Sequence, residues 1–198
     1  MTVFDLVKKR RTIRRFKQNP IDRQLLLDLI EAARLAPSGA NLQPLEYLLI
    51  DDKSLVSQVF PFTHWAGYLP KETGLPPEGK RPTVYIMVLI NRNIRANGGI
   101  HDVGAACENI ILTALEQNVG CCWLGSIDRN DLRALFAIPE YYEIDSLLAL
   151  GYPDEEPLCE DEQGSIRYYL DDNNVLHVPK RKRAEIMHHN TFKGKKDE

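Results

Sequence analysis

The sequence predicts a layered domain of α/β or α+β type. Two strongly amphipathic helical stretches alternate with four short apolar runs of strand length, and the composition is that of an ordinary globular protein. Hydrophobic residues make up 43% of the 198 and charged residues 27%, which argues against both a disordered chain and a membrane-embedded body. At this length a single core buries roughly 70% of the unfolded surface. One domain is therefore expected over residues 1–190, followed by a polar tail, 191–198, expected to fray.

Each element follows from local pattern. Thr2 is placed to cap a short helix whose Val3, Phe4, Leu6 and Val7 share a face. Asn19-Pro20 then breaks the chain. From Asp22, a second capping residue, Leu25, Leu26, Leu29, Ile30 and Ala33 follow helical spacing until Pro37 ends the run. Leu45 to Ile50 has the length and apolar content of a strand, and Thr83 to Ile90 reads as a more fully buried one. Between them Pro61, Pro70, Pro76, Pro77 and Pro82, with Gly67, Gly74 and Gly79, argue against continuous regular structure. The resulting long loop carries Phe60, Phe62, Trp65 and Tyr68, which either wall a pocket or anchor the loop to the core. Asp102 is expected to cap a long central helix with Val103, Ala106, Cys107, Ile110, Ile111, Ala114 and Leu115 on its apolar face, ended by Asn118 and Gly120. Cys121 to Leu124 reads as a buried strand, Asp128 as the start of a short helix through Phe136, and Ser146 to Leu150 as another strand. From Asp154 the chain turns polar.

Charge and cysteine usage narrow the function. A net charge of -3 gives no overall field to recruit nucleic acid or an anionic membrane. The longest apolar stretch, Val84 to Ile90, is far shorter than the ~20 residues that span a bilayer. The start MTVFDLVKKRR has no signal-peptide core, so a soluble cytoplasmic protein is expected. Cys107, Cys121, Cys122 and Cys159 form no CxxC pair and no Cys/His metal spacing, which reads as reduced thiols. His64, His101, His177, His188 and His189 form no ligand cluster, so no metal is expected. Basic residues concentrate at Lys8 to Arg15 and at Lys180 to Arg183, and two such clusters in one domain can converge on one anion.

Three segments carry chemistry. In RRTIRRF, Arg10, Arg11, Thr12, Arg14 and Arg15 offer guanidinium forks and a hydroxyl suited to a phosphate monoester, although a solvated charge run or a nucleic-acid arm has the same composition. In APSGANLQP, Gly39 permits close backbone approach to a flat ligand, while Ser38, Asn41 and Gln43 can bond a polar ring edge. A helix-terminating loop would explain Pro37 and Gly39 equally well. In CCWLGSID a strand runs into a loop where Gly125 would let a backbone N–H approach a heteroatom, or simply turn the chain into the next helix.

Taken in order with DVGAACENIILTALEQNVG, IPEYYEIDSLLALGYPDE and the basic tail, these segments resemble the nitroreductase family over most of residues 1–190. The resemblance implies an α+β three-layer sandwich, a central and mostly antiparallel sheet flanked by helices, in a domain-exchanged homodimer with two FMN molecules at the subunit interface. By similarity, Arg10, Arg11 and Thr12 would hold phosphate and ribityl groups and Arg14 would lie near the flavin pyrimidine edge. Pro37, Ser38, Gly39 and Asn41 would reach the flavin from the partner subunit. Leu124, Gly125 and Ser126 would cover the ring, with the Gly125 N–H directed at N5. Among Lys180, Arg181, Lys182 and Arg183, the residues Arg181 and Arg183 are favoured to complete the phosphate site.

The activity so implied is hydride transfer from NADH or NADPH, through flavin N5, to a small electron-poor acceptor such as a nitroaromatic or quinone, in a ping-pong cycle. The flavin carries the chemistry and no side-chain catalyst is expected. Trp65 and Tyr68 are assigned to the substrate pocket. A flavin-binding or redox-sensing protein with little turnover is the alternative. Two departures stand out: Gly39 where many relatives have a second small hydroxyl residue, and Leu45 where many have tryptophan.

Overall fold

The computed structural model describes residues 1–192, so the fraying expected of Lys193 to Glu198 lies outside the described residues. The chain divides into two compact units, Met1–Glu155 and Glu156–Glu198. The first holds α1 (Val3–Lys9), β1 (Phe16–Lys17), α2 (Arg23–Arg34), β2 (Leu45–Ile50), α3 (Lys53–Val59), α4 (Lys71–Gly74), β3 (Val84–Asn91), α5 (Ile100–Glu116), β4 (Gly120–Leu124), α6 (Arg129–Phe136) and β5 (Tyr142–Pro153).

Its strands form one sheet in the order β1-β5-β3-β2, with β4 also paired to β5. Every ladder in it is antiparallel. The two-residue period of a strand sorts the core. Val84, Ile86, Val88 and Ile90 of β3, with Leu148, Leu150 and Cys121, pack under α2 and α5. Tyr85, Met87 and Leu89, with Leu147, Ala149, Cys122 and Leu124, pack on the opposite side with residues of α3 and α6. The sheet is thus covered on both faces, which is the three-layer α+β sandwich the resemblance implies. Cys121 and Cys122 fall in different core layers, as their alternation requires.

Helix starts follow the capping rules. Thr2 forms a full capping box with Asp5. The Asp22 carboxylate accepts from the N–H groups of Gln24 at 2.8 Å and Leu25 at 3.3 Å. Asp102 does something else. Helix α5 begins earlier, at Ile100, with Gly99 at its N-cap in the left-handed region (φ 97°), and Asp102 is buried in its first turn. The proline-rich stretch is also more ordered than its composition predicts, because Asp52 caps α3 and the chain continues through one 3-10 turn, Phe60–Phe62. Finally, of the expected apolar face of α1, only Leu6 is buried, while Val3 and Phe4 are each 69% exposed.

The second unit is built from the polar tail. Its β6 (Leu158–Asp161), β7 (Tyr169–Leu170) and β8 (Leu176–Lys180) form a sheet in the order β6-β8-β7, followed by the single turn α7 (Arg183–Ile186). No helix among the described residues is long and apolar enough to cross a membrane.

Candidate functional site

The basic segment is locked to the sheet by its apolar residues. Thr12 makes a parallel bridge to Cys121, and the Ile13 N–H donates to the Cys121 carbonyl at 3.0 Å. Ile13 lies over Gly120 and Phe16 over Gly151, so closely that a Cβ on either glycine would meet the overlying side chain at 2.8 Å. Ile13 and Phe16 are buried, and the intervening Arg14 and Arg15 are half-buried.

Glu155 fixes the backbone of that segment. Its carboxylate accepts the N–H groups of both Arg14 and Arg15, the latter at 3.2 Å, and pairs with the Arg15 guanidinium at 3.1 Å. Arg15 also donates to the Thr73 carbonyl at 2.7 Å, which makes it a structural tie. Arg10 keeps a long 3.8 Å contact with Glu108 and is 27% exposed. Arg11 is turned back onto the carbonyls of Lys8 and Arg10.

Gly125 stands at the other end of the same strand. Between Cys121 and Gly125 the chain rises ~13 Å. Nothing lies within 4 Å of where a Gly125 Cβ would be, so the backbone there faces open space. The flanking contacts hold its position: Arg129 donates to the carbonyls of Gly125 at 3.1 Å and Asp145 at 2.6 Å, and the Trp123 indole donates to Ser146 at 2.7 Å. Leu124 is buried, whereas Gly125 and Ser126 are exposed.

The aromatic loop is stitched to this strand end. The His64 N–H donates to the Ser126 carbonyl at 3.1 Å, the Asp128 N–H to the Phe62 carbonyl at 2.9 Å, and Thr63 bridges Ile127. Within it, Trp65 is an anchor: its indole N–H donates to Thr63 at 2.8 Å and its ring packs near Phe60 against the core. Tyr68, 52% exposed, is the aromatic left at the surface.

Segment 37–43 sits apart. It precedes β2, the edge strand opposite β4, and three interstrand spacings put those strands ~14 Å apart. Ala40, Asn41 and Gln43 all have positive φ, 52°, 53° and 51°. The Gly39 N–H donates to the buried Asp102 carboxylate at 3.1 Å, and the Gln43 N–H to the Ser38 hydroxyl at 3.0 Å. Pro37, Ser38, Gln43 and Asp102 line a cavity of about 150 Å³, well below the roughly 300–1,000 Å³ of ordinary ligand pockets. A cavity of about 630 Å³ lies elsewhere, lined by Gln18, Phe60, Arg81 and Tyr85 among others; of the loop aromatics Phe60 alone borders it, and none of the residues assigned to the cofactor or substrate does.

Arg181 and Arg183 belong to the second unit, where Arg181 contacts Glu185. The sequence assigns no role to Glu155 or Arg95 and gives Asp102 only that of a helix cap. Glu155 sits in the acidic stretch 154–161, with nothing local to distinguish it. Arg95 and Asp102 are paired by a turn invisible to periodicity.

The buried thiols Cys107 and Cys122 offer no competing chemistry. Burial pushes Cys122 up to about 12, against a pull downward from Arg14, and burial with Asp145 and Glu108 nearby pushes Cys107 up to about 12. Neither is a thiolate near neutral pH. No group of three or more His, Cys, Asp or Glu among the described residues is arranged to hold a metal ion.

The profile of the Nitroreductase family matches residues 7–152. The chain belongs to the nitroreductase family. It is similar, at 27% identity over 86% of its own length and 87% of the relative's, to a Methanothermobacter thermautotrophicus protein provisionally named NADH dehydrogenase/NAD(P)H nitroreductase. An NADPH-dependent oxidoreductase of Staphylococcus haemolyticus is 27% identical, covering 88% of this chain and 72% of the other. The solved FMN-dependent nitroreductase of Clostridium difficile R20291 superimposes with a TM-score of 0.67 at 22% identity, over 96% of this chain and 99% of that one.

Proposed function

We propose that this nitroreductase-family chain is an FMN-dependent oxidoreductase that takes reducing equivalents from NADH or NADPH and passes them to a small electron-poor acceptor, such as a nitroaromatic or quinone. The observation that carries the reading is the placement of a basic, phosphate-suited segment and an open glycine at the two ends of β4. An elongated ligand with an anionic tail and a flat head fits that arrangement.

The residues fit the cofactor. Arg10 and Arg11 supply cationic forks and Thr12 a hydroxyl, the donor set for a phosphate and a polyol chain. Arg14 would place positive charge near the pyrimidine edge, where negative charge develops on reduction. Gly125 carries no Cβ and the space a Cβ would occupy is open, so a flat ligand could lie against the backbone there. Bound FMN would supply the two-electron chemistry, accepting hydride from the nicotinamide and returning it to the acceptor. The chain's own work is to bind, orient and exclude water, which needs no nucleophilic side chain.

The reading includes a homodimer. Pro37, Ser38, Gly39 and Asn41 lie on the opposite edge of the sheet from Gly125, so a second copy would bring them to the ring. The exposed apolar side chains of α1, Val3, Phe4 and Val7, are surface such a copy would cover. Tyr68 is the better placed of the two pocket aromatics to meet an acceptor, since Trp65 is anchored.

The test is the double substitution Arg10→Ala with Arg14→Ala. Each charge-assisted hydrogen bond lost costs about 1.5–3 kcal/mol, so the FMN dissociation constant should rise by roughly 100-fold or more while the protein stays folded. Unaltered affinity in fluorescence titration would remove the phosphate and ring assignments.

A further inference from the structure

We infer that Arg95 and Asp102 act as a positioning pair, holding segment 38–43 in the conformation that meets the flavin while touching no cofactor themselves. The inference rests on the FMN reading above and adds residues the resemblance does not supply. Asp102 is a buried charged residue, its side chain 6% exposed. One carboxylate oxygen accepts the Gly39 N–H at 3.1 Å and the other pairs with the Arg95 guanidinium at 2.9 Å.

The guanidinium is itself confined. Arg95 Nε donates to the Asn97 carbonyl at 3.2 Å, and the group fills space left by two glycines: a Cβ would lie 2.9 Å from Arg95 Nη1 at Gly39 and 3.5 Å from Nη2 at Gly98. Arg92 supports the same turn, donating to the carbonyls of Arg95 at 3.2 Å and Gly98 at 2.8 Å while it pairs with Glu143 of β5.

The segment so held needs holding. Ala40, Asn41 and Gln43 all occupy the left-handed region, which side chains other than glycine disfavour. Internal bonds, from the Asn41 N–H to the Ser38 carbonyl at 3.0 Å and from Gln43 to Ser38, close the loop on itself but do not dock it. Docking falls to the Asp102–Gly39 bond. A buried ion pair is a weak source of net stability, because desolvation offsets much of the attraction, so its retention here is better explained by the backbone it fixes. Fixing that backbone in the free protein removes an ordering cost from ligand binding.

The experiment is FMN titration of flavin-free full-length protein, paired with amide hydrogen exchange over residues 38–43. Asp102→Asn and Arg95→Lys preserve volume, and Asp102→Ala removes the acceptor. We expect Asp102→Ala to raise the FMN dissociation constant at least tenfold and to speed exchange at the Gly39 amide, with Asp102→Asn intermediate. Arg95→Ser should weaken FMN as Asp102→Ala does, and the two combined should be little weaker than Asp102→Ala alone, because both act on one contact. Faster exchange with unaltered FMN affinity would overturn the pairing role and leave the flavin reading standing. Failure of the unaltered protein to take up FMN would overturn the flavin reading, and this one with it.

Discussion

Glycine sets how closely the basic segment approaches the sheet. Gly151 gives Phe16, fully buried, the room it occupies, and an added Cβ would lie 2.8 Å from both Phe16 Cβ and Cδ1. Gly151→Ala should therefore cost about 1–3 kcal/mol through overpacking. That corresponds to a melting temperature lower by ~2–4 °C per kcal/mol for a chain of this size. An unshifted thermal unfolding curve would mean that Phe16 does not sit where described. Glu155 governs the same segment differently, through two backbone N–H groups and one guanidinium, so Glu155→Gln should weaken FMN binding more than it weakens the fold; equal affinity in a titration would make it a stability residue only. At this scale the sequence was partly legible. Arginine side chains advertise anion binding wherever they stand, but a carboxylate 140 residues away, or a glycine chosen for a neighbour's bulk, leaves no local signature.

Elements were legible where one helix face or strand met the core, and less so elsewhere. Leu26, Leu29 and Ala33 of α2 and Val103, Ala106, Cys107, Ile110, Ile111 and Ala114 of α5 are buried as their spacing requires. Helix α3 was hidden by the prolines that follow it, although Asp52 and the Val56–Val59 spacing were there to be read. The small sheet of the second unit was missed because polar pairing, not apolar burial, organises it. At its centre His177 lies between Glu160 at 2.9 Å and Asp171 at 3.5 Å, stacked on Tyr169. The Glu160 bond, chiefly, raises the His177 pKa above its ordinary 6.5. The His177 bond lowers Glu160 below 4.5, while the Val175 N–H leads in lowering Asp171 below 3.8. The histidine's contribution is therefore fully present below pH 6.5 and lost as pH rises through its raised value. The carboxylates' contributions are present above their ordinary values and lost as pH falls through the lowered ones. Amide protection in β6 to β8 should accordingly be greatest between about pH 4.5 and 6.5 and decline on either side, once corrected for intrinsic exchange. A His177→Gln variant should lose the alkaline limb; its persistence would rule out this histidine.

Across the whole molecule, the apolar residues that face outward carry as much information as those facing in. Val3 and Phe4 are each 69% exposed on a well-capped helix, which is poor economy for a monomer. On the proposed homodimer, Phe4→Glu should shift the chain from dimer to monomer in sedimentation and lower its flavin content, since segment 37–41 would then lack a partner ring to meet. A fully dimeric, flavin-replete variant would show that α1 is not at the interface. The layered fold was readable from helix and strand periods because burial on both faces of β3 leaves an unbroken apolar run. The proposed site rests on segments taken in order, because its pieces lie at opposite edges of the sheet and no single stretch of chain contains it. The central claim is that these segments together hold a flavin that nicotinamide can reduce. It is tested most directly by the absorbance spectrum of the purified, FMN-supplied protein before and after anaerobic NADH or NADPH. The account predicts a bound flavin band that bleaches with reductant and returns with a quinone or nitroaromatic; a protein that binds no FMN, or a bound flavin that neither nucleotide bleaches, would contradict it.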